Sequence, residues 1–182
     1  AQNPNTDFFI ENKWGQTPLK LAFEREESEI AKILIENLIE NGADLNIKDN
    51  DGETALHIAI MQDNNEVARL LIDNLIRNGG DLNIQDHKGS TPLHIAIREN
   101  NTEIATILIQ NLLAQNYDNI NIPNNNGFTP LIYAIMQDNN EIAISLIING
   151  TVKKNEYAYK ALEYAIERGN TEIALLLIPL LR

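Results

Sequence analysis

The chain has 182 residues, of which 43% are apolar and 22% are charged, and it contains no cysteine. This length suffices for one compact domain or a short array of repeats. No apolar run reaches the roughly 18 residues of a membrane-spanning helix, and without cysteine the chain has neither disulfides nor thiolate metal sites. Its 26 acidic and 14 basic residues leave a net charge of −12. We therefore expect no binding to nucleic acid or to an anionic membrane, and partners that are neutral or basic.

Isoleucine and asparagine are unusually frequent, with 27 and 26 copies. Both have AT-rich codons, and the asparagines are spread among helix signals rather than clustered, so codon bias explains the excess better than a prion-like segment does. Many of the isoleucines also fall at the helical spacing of a buried stripe.

One short pattern recurs along the chain. It reads Gly-Gln-Thr-Pro-Leu-Lys-Leu-Ala at 15–22, and its later copies begin at Gly52, Gly89 and Gly127, at spacings of 37, 37 and 38 residues. A fifth, degenerate copy keeps only the apolar positions of 161–166 and 169–174, as expected for an end repeat. The spacing predicts an array of about five supersecondary units.

Each copy predicts the same local structure. The glycine permits a tight turn, and the threonine caps a helix. Proline, which is replaced by alanine in the copy at Gly52, occupies the first helical position, where it needs no donor. A short first helix then ends at polar residues such as 62–65, and a second helix with apolar residues at helical spacing follows. That helix ends near Asn41-Gly42 or at 78–80, and an extended, turn-rich link leads to the next glycine.

The opening Gly-x-Thr-Pro-Leu-His-x-Ala, the closing Gly-Ala-Asp-Leu-Asn at 42–46 and the two intervening helices resemble the ankyrin repeat family. The resemblance runs from about Thr6 to about Leu181. It implies an all-α ankyrin-repeat solenoid of about five helix-turn-helix units with hairpin-like connecting loops, forming a single domain over 1–182. We expect repeats at about 12–48, 49–85, 86–123, 124–154 and 155–182, with residues 1–11 as the tail of a preceding unit or an N-terminal cap.

The first three repeats exceed the usual family period of about 33 residues. The added residues fall in the second helices, where an apolar pair recurs four positions later, as in Leu34-Ile35 and Leu38-Ile39. Four residues are about one helical turn and rotate the face by only about 40°. We therefore predict an extra buried turn in repeats one to three, whereas the fourth second helix ends at the ordinary length before Asn149-Gly150.

The last residues, 175–181, are apolar and lack the polar outer face that a terminal repeat needs. This motivates the hypothesis that the chain is one segment of a longer protein, with more chain packed on its last helix.

Residues for catalysis or cofactor binding do not converge in the sequence, so we expect no enzyme activity, no cofactor and no small-molecule substrate. His57 and His94 occupy the same repeat position, and the resemblance implies that this histidine hydrogen-bonds neighbouring backbone. His87 precedes a turn glycine and is expected at the surface. Asp49-Asn50-Asp51-Gly52 begins like a calcium loop, but no glutamate stands at the twelfth position, so we expect no metal there. The glutamates at 24–29 are expected to be a solvated cluster.

In the family, partners contact the residues flanking the turn glycine and the exposed end of the first helix. The equivalent positions of this chain are the candidates for partner binding that the resemblance implies. They are Trp14, Gln16, Arg25, Asp51, Glu53, Met61, Gln62, His87, Lys88, Arg98, Asn126, Phe128, Met136 and Gln137. Trp14, Phe128, Met61 and Met136 are favoured, because interfaces concentrate their energy in large apolar anchors. The alternative is that Trp14 covers the N-terminal edge with Phe8 and Phe9, and that Phe128 packs on a neighbouring hairpin.

These observations indicate a protein-binding scaffold that recruits another protein on its concave face. Residues 1–66 carry 14 acidic and 5 basic side chains, whereas the rest of the chain carries 12 and 9. A basic patch on the partner would therefore be steered to the first two repeats. The alternative for much of this charge is a role in solubility. A second hypothesis is that the chain is the targeting segment of a larger, host-directed bacterial effector. The alternative from another class is a substrate-selecting segment of an enzyme whose catalytic domain lies outside this chain.

Overall fold

The computed structural model describes residues 12–13, 16–25, 27–115 and 120–182, and these residues form consecutive pairs of helices. The first helices are α1 Pro18–Glu24, α3 Ala55–Met61, α5 Pro92–Arg98, α7 Pro130–Met136 and α9 Glu156–Glu167. The second helices are α2 Ser28–Glu40, α4 Asn65–Asn78, α6 Thr102–Ala114, α8 Asn140–Ile148 and α10 Thr171–Leu177, and a 3₁₀ turn, Ile178–Leu181, follows α10. The described residues contain no strand, so the predicted all-α array is confirmed.

The first helices begin as the repeated threonine and proline predict. The hydroxyl oxygen of Thr17 accepts a hydrogen bond from the Lys20 backbone N–H at 3.1 Å, and Thr129 accepts one from Ile132 at 3.3 Å. Such a cap satisfies a backbone donor that has no partner within the helix.

Most second helices begin at an asparagine that the sequence had not singled out. The side-chain oxygens of Asn64, Asn101, Asn139 and Asn170 each accept from the backbone N–H three residues ahead, at 3.0–3.2 Å. In the last three of these caps the amide nitrogen also donates to the preceding repeat. Asn101 donates to Asn65 Oδ1 at 2.6 Å, and Asn139 donates to Thr102 Oγ1 at 2.9 Å. Asn101, Asn139 and Asn170 therefore connect neighbouring repeats as well as capping helices, so these asparagines have a structural role in addition to any codon bias.

The repeats stack so that first helices contact first helices and second helices contact second helices. Leucines at equivalent positions, such as Leu71, Leu108 and Leu146, are completely buried in this stack. One apolar core consequently runs through the array. No helix among the described residues is both long and apolar enough to cross a membrane.

The predicted extra turn is present in the second helices of repeats one to three. These helices, α2, α4 and α6, have 13, 14 and 13 residues, whereas α8 has 9. The leucines of the added turn, Leu38, Leu75 and Leu112, are no more than 5% exposed. The insertion therefore lengthens the buried stripe, as the four-residue spacing indicated.

The fifth unit departs from the others at its start. Its first helix, α9, has 12 residues, where each of the other four has 7. Residues 156–160 contain no glycine or proline, and the Asn155 side chain caps the helix by accepting from the backbone N–H groups of Tyr157 and Ala158. A helical turn therefore replaces the loop that precedes α3, α5 and α7.

The last repeat leaves apolar side chains exposed in the segment 175–181 that the sequence indicated, where Leu175 is 64% and Leu180 is 39% exposed. Ile166 is 63% exposed, although its counterparts Ile60, Ile97 and Ile135 are at most 1% exposed beneath a following repeat. The hypothesis that more chain packs there stays a prediction.

Candidate interaction surface

Between the helix pairs, the chain forms tight loops that we call tips. The second, third and fourth tips are residues 49–53, 86–90 and 124–128. Each is closed by a backbone hydrogen bond between its first and last residues, such as Asp49 N–H to Glu53 O at 2.9 Å. The glycine of each tip has a positive φ of 70–76°, a left-handed conformation that favours glycine.

Consecutive tips are hydrogen-bonded to one another. The His87 backbone N–H donates to Asp51 O at 3.2 Å, and the Asn125 backbone N–H donates to Lys88 O at 3.0 Å. The Asn125 side chain also donates to His87 O at 2.9 Å. This series, which we call the tip ladder, holds the exposed tip side chains at regular positions.

His57 and His94 lie beneath the tips and are structural, as the resemblance implied. His94 Nδ1 accepts from the Thr91 backbone N–H at 3.1 Å, and its Nε2 lies 3.1 Å from Phe128 O in the next repeat. His57 makes the same contacts with Thr54 and Ser90. Burial lowers the pKa of both histidines, that of His94 to about 4, so both are neutral at pH 7. His87 is exposed, as expected.

Three carboxylates at the second tip converge on one lysine. One carboxylate oxygen from each of Asp49, Asp51 and Glu53 lies within 4.8 Å of the other two. Lys20 Nζ of the first repeat lies 2.7 Å from Asp51, 3.4 Å from Asp49 and 3.6 Å from Glu53. Burial would lower the pKa of Lys20, but its hydrogen bond to Asp51 and the three negative charges raise it. Lys20 is therefore protonated, and the cluster keeps a net negative charge.

The carboxyl groups of this cluster differ in their surroundings. The hydrogen bond from Lys20 lowers the pKa of Asp51, whose side chain is exposed. Burial raises the pKa of Glu53, although Lys20 opposes that effect. Asp51 therefore offers its charge to solvent, whereas Glu53 faces mainly Lys20.

Phe128, at the end of the fourth tip, is half-buried and packs within the array. Its ring centroid lies 5.6 Å from that of Tyr133 and 6.2 Å from that of Tyr164. Lys160 Nζ lies 4.5 Å from the same centroid, a cation–π distance. Phe128 therefore stabilises the contact between the fourth and fifth repeats. It packs on helices α7 and α9, whereas the alternative raised for it was a neighbouring hairpin.

Most of the other candidates lie at the tips or at the ends of the first helices, and we call this set of positions the tip face. Met61 and Met136 are half-buried against the core, and Gln62 and Gln137 beside them are exposed. The Gln137 side chain donates to Arg98 O at 3.2 Å, and Arg98 pairs with Glu99 at 2.8 Å.

The remaining candidates differ in exposure. Four of them are exposed: Asp51, Lys88, Asn126 and Arg25. Gln16 is half-buried and bonded to Asn12, and Trp14 lies outside the described residues.

The sequence analysis missed the aromatic content of the last two repeats. Tyr133, Tyr157 and Tyr164 are half-buried near the fourth tip, and the Tyr133 hydroxyl accepts from Asn124 at 3.3 Å. Tyrosine is enriched in protein interfaces. The signal available in the sequence was that four of the five tyrosines lie after residue 130.

Stacked helix pairs with laddered tips define a repeat solenoid. A family model described as ankyrin repeats matches residues 2–76, 35–118, 72–155 and 109–180. The chain therefore belongs to the ankyrin repeat family, whose members are generally protein–protein interaction modules and typically lack catalytic activity. No curated protein matches the chain significantly.

Proposed function

We propose that the chain is a binding scaffold that recruits a partner protein along its tip face. The observation that carries the proposal is the tip ladder, which holds exposed side chains of successive repeats in a fixed register. A preorganised surface loses little conformational entropy when it binds. The candidate contacts named from the sequence remain the proposed ones, with Trp14, Met61 and Met136 as the apolar anchors.

Electrostatics favours a basic patch on the partner at the second tip. Three carboxylates share one ammonium group there, and Asp51 is exposed. Such a patch would associate faster at low salt, since exposed charges are screened over about 8 Å at physiological ionic strength.

A binding assay tests the tip face. A partner captured from lysate is titrated against the native chain, a Trp14→Ala variant and a Met61→Ala/Met136→Ala variant, at two salt concentrations. We expect each variant to weaken binding about tenfold, as the loss of an interface anchor does. Ile148→Ser is the matched control, because Ile148 is 67% exposed at the end of a second helix. Unchanged affinity in both tip-face variants, with circular dichroism showing that they are folded, would refute the assignment.

The asparagine- and isoleucine-rich composition motivates a further proposal, that this chain is the targeting segment of a larger, host-directed bacterial effector. A substrate-selecting segment of an enzyme is the alternative. The sequence that flanks these residues in the gene distinguishes them, since the alternative requires a catalytic domain there.

A further inference from the structure

The tip ladder depends on close contact between consecutive tips. A methyl group at Gly52 would lie 2.5 Å from His87 Cδ2, and one at Gly89 would lie 2.5 Å from Asn125 Oδ1. Glycine is therefore required at both positions for two reasons: the next tip packs directly against it, and its backbone is left-handed.

This ladder ends at the fourth tip. A methyl group at Gly127 would meet only the Lys160 ammonium at 3.5 Å and the Tyr157 ring at 3.8 Å. The carbonyl oxygen of Asn126 is the counterpart of Asp51 O and Lys88 O, and it accepts no hydrogen bond from the described residues. The cause is the extended α9, which takes the place of a fifth tip.

A second series of contacts ends at the same place. In the extended segments that lead into the tips, Lys48 Nζ donates to Gln85 O at 2.7 Å, and the Gln85 side chain reaches Pro123 O at 3.5 Å. Pro123 occupies the equivalent position of the following repeat, and because its side chain has no hydrogen-bond donor, the series stops there. The Lys160 ammonium donates to Gly127 O at 3.3 Å, so the open part of the fourth repeat's edge is Asn126 O together with the segment before the tip.

A cavity of about 170 Å³ lies beside this open edge. Asn121 and Pro123, in the segment that leads into the fourth tip, line one side of it. Thr151 and Lys153, in the segment that leads into α9, and Tyr157 of α9 line the other side. The volume greatly exceeds that of a single water site. Lys153 is the one charged residue of the lining, and Glu156 stands nearby on the first turn of α9 without lining it.

The charge near this cavity differs from that of the first repeats. Residues 150–182 carry five basic and four acidic side chains, whereas residues 1–66 carry 5 basic and 14 acidic ones. An acidic ligand is therefore repelled less at this end of the array than at the other.

We infer that the open edge of the fourth tip binds an extended, acidic segment of a partner protein. A backbone N–H of that segment donates to Asn126 O and supplies the missing step of the tip ladder. An aspartate or glutamate next to it enters the cavity and pairs with Lys153. This is edge pairing by an extended peptide, in which main-chain hydrogen bonds provide affinity and a side-chain pocket provides selectivity.

A peptide titration tests the inference. The probe is acetyl-Thr-Val-Asp-Val-Thr-amide, added to the isotope-labelled chain and followed through its amide NMR signals. We expect saturable shifts confined to Asn126, Gly127, Lys153 and Tyr157. The peptide with asparagine in place of aspartate should bind about fivefold more weakly, the effect of a partly exposed ion pair. A peptide methylated on the backbone nitrogen that pairs with Asn126 should not bind.

Two variants of the chain complete the test. Lys153→Ser should reduce binding of the aspartate peptide to the level of the asparagine peptide, and the matched control Lys154→Ser should not. The inference is overturned if the shifts do not saturate below about 10 mM peptide, if sodium acetate reproduces them, or if they centre on the second tip. Because the site is separate from the proposed anchors, Met61→Ala/Met136→Ala should leave peptide binding unchanged even if that variant abolishes recruitment on the tip face.

Discussion

The tip glycines show that one residue type meets two separate requirements. Gly89 and Gly127 have nearly the same left-handed backbone, with φ of 74° and 70°. They differ in surroundings, because Asn125 packs on Gly89, whereas the nearest group to Gly127 is the flexible end of Lys160. The pair therefore separates backbone strain from steric contact.

We predict that Gly127→Ala lowers the free energy of unfolding by about 1 kcal/mol, the strain of a left-handed alanine. Gly89→Ala should cost about 2 kcal/mol more, because its methyl group also displaces the fourth tip. Urea unfolding of both variants measures the difference. Equal losses would show that the close contact at Gly89 has no energetic consequence.

At the scale of the helices, the asparagine caps accept a hydrogen bond from their own helix and donate hydrogen bonds to the preceding repeat. Asn101 accepts from the Ile104 N–H of its own helix and donates to Asn65 Oδ1 and Asp63 Oδ1 of the preceding repeat. Asn139 holds the equivalent position, but its donor meets the Thr102 hydroxyl, which can itself donate. Replacement by aspartate therefore has different consequences at the two caps.

We expect Asn101→Asp to lower the free energy of unfolding by about 2 kcal/mol, although aspartate caps isolated helices as well as asparagine does. The new carboxylate keeps the cap but meets the Asp63 carboxylate and loses both donors. Asn139→Asp should be nearly neutral, since Thr102 can reverse its hydrogen bond. Thermal unfolding compares the two, and the reverse order of stabilities would contradict the role assigned to the cap donors.

At the scale of the whole molecule, the two buried histidines couple the stability of the stack to pH. Each lies between consecutive repeats and hydrogen-bonds the backbone of the next. Burial depresses the folded-state pKa of His94 to about 4, from the usual 6.5 of a solvated histidine. Between these values the unfolded chain binds a proton that the folded chain does not, so stability is complete above about pH 6.5 and falls as the pH decreases.

We predict that the free energy of unfolding falls between pH 6.5 and pH 5, by up to about 1.4 kcal/mol per pH unit for His94, and that His57 adds a loss of the same sign. Most carboxyl groups remain ionised in this range, so the slope reports mainly on the histidines. A His57→Gln/His94→Gln variant should flatten it, and the exposed control His87→Gln should not. A slope that persists in the double variant would assign the pH dependence to other groups.

Local features of the chain were predictable because each depends on residues close together in sequence. The Gly-x-Thr-Pro pattern located the first helices, and a four-residue recurrence of apolar pairs located the added turn that buries Leu38, Leu75 and Leu112. The structural role of His57 and His94 followed from the family resemblance. Phe128 shows the limit, since its partners Tyr164 and Lys160 lie more than 30 residues away and no short pattern relates them.

The sequence by itself determined the repeat unit, the number of repeats and the excess of acidic charge in the first third of the chain. Only the tertiary structure decided that Lys20 joins the carboxylates of the next tip, that asparagine caps connect the repeats, and that the tip ladder ends at Asn126. The physical reason is the same in each case. These contacts join residues of consecutive repeats, about 30 to 38 positions apart, and depend on how each repeat is placed on the one before it.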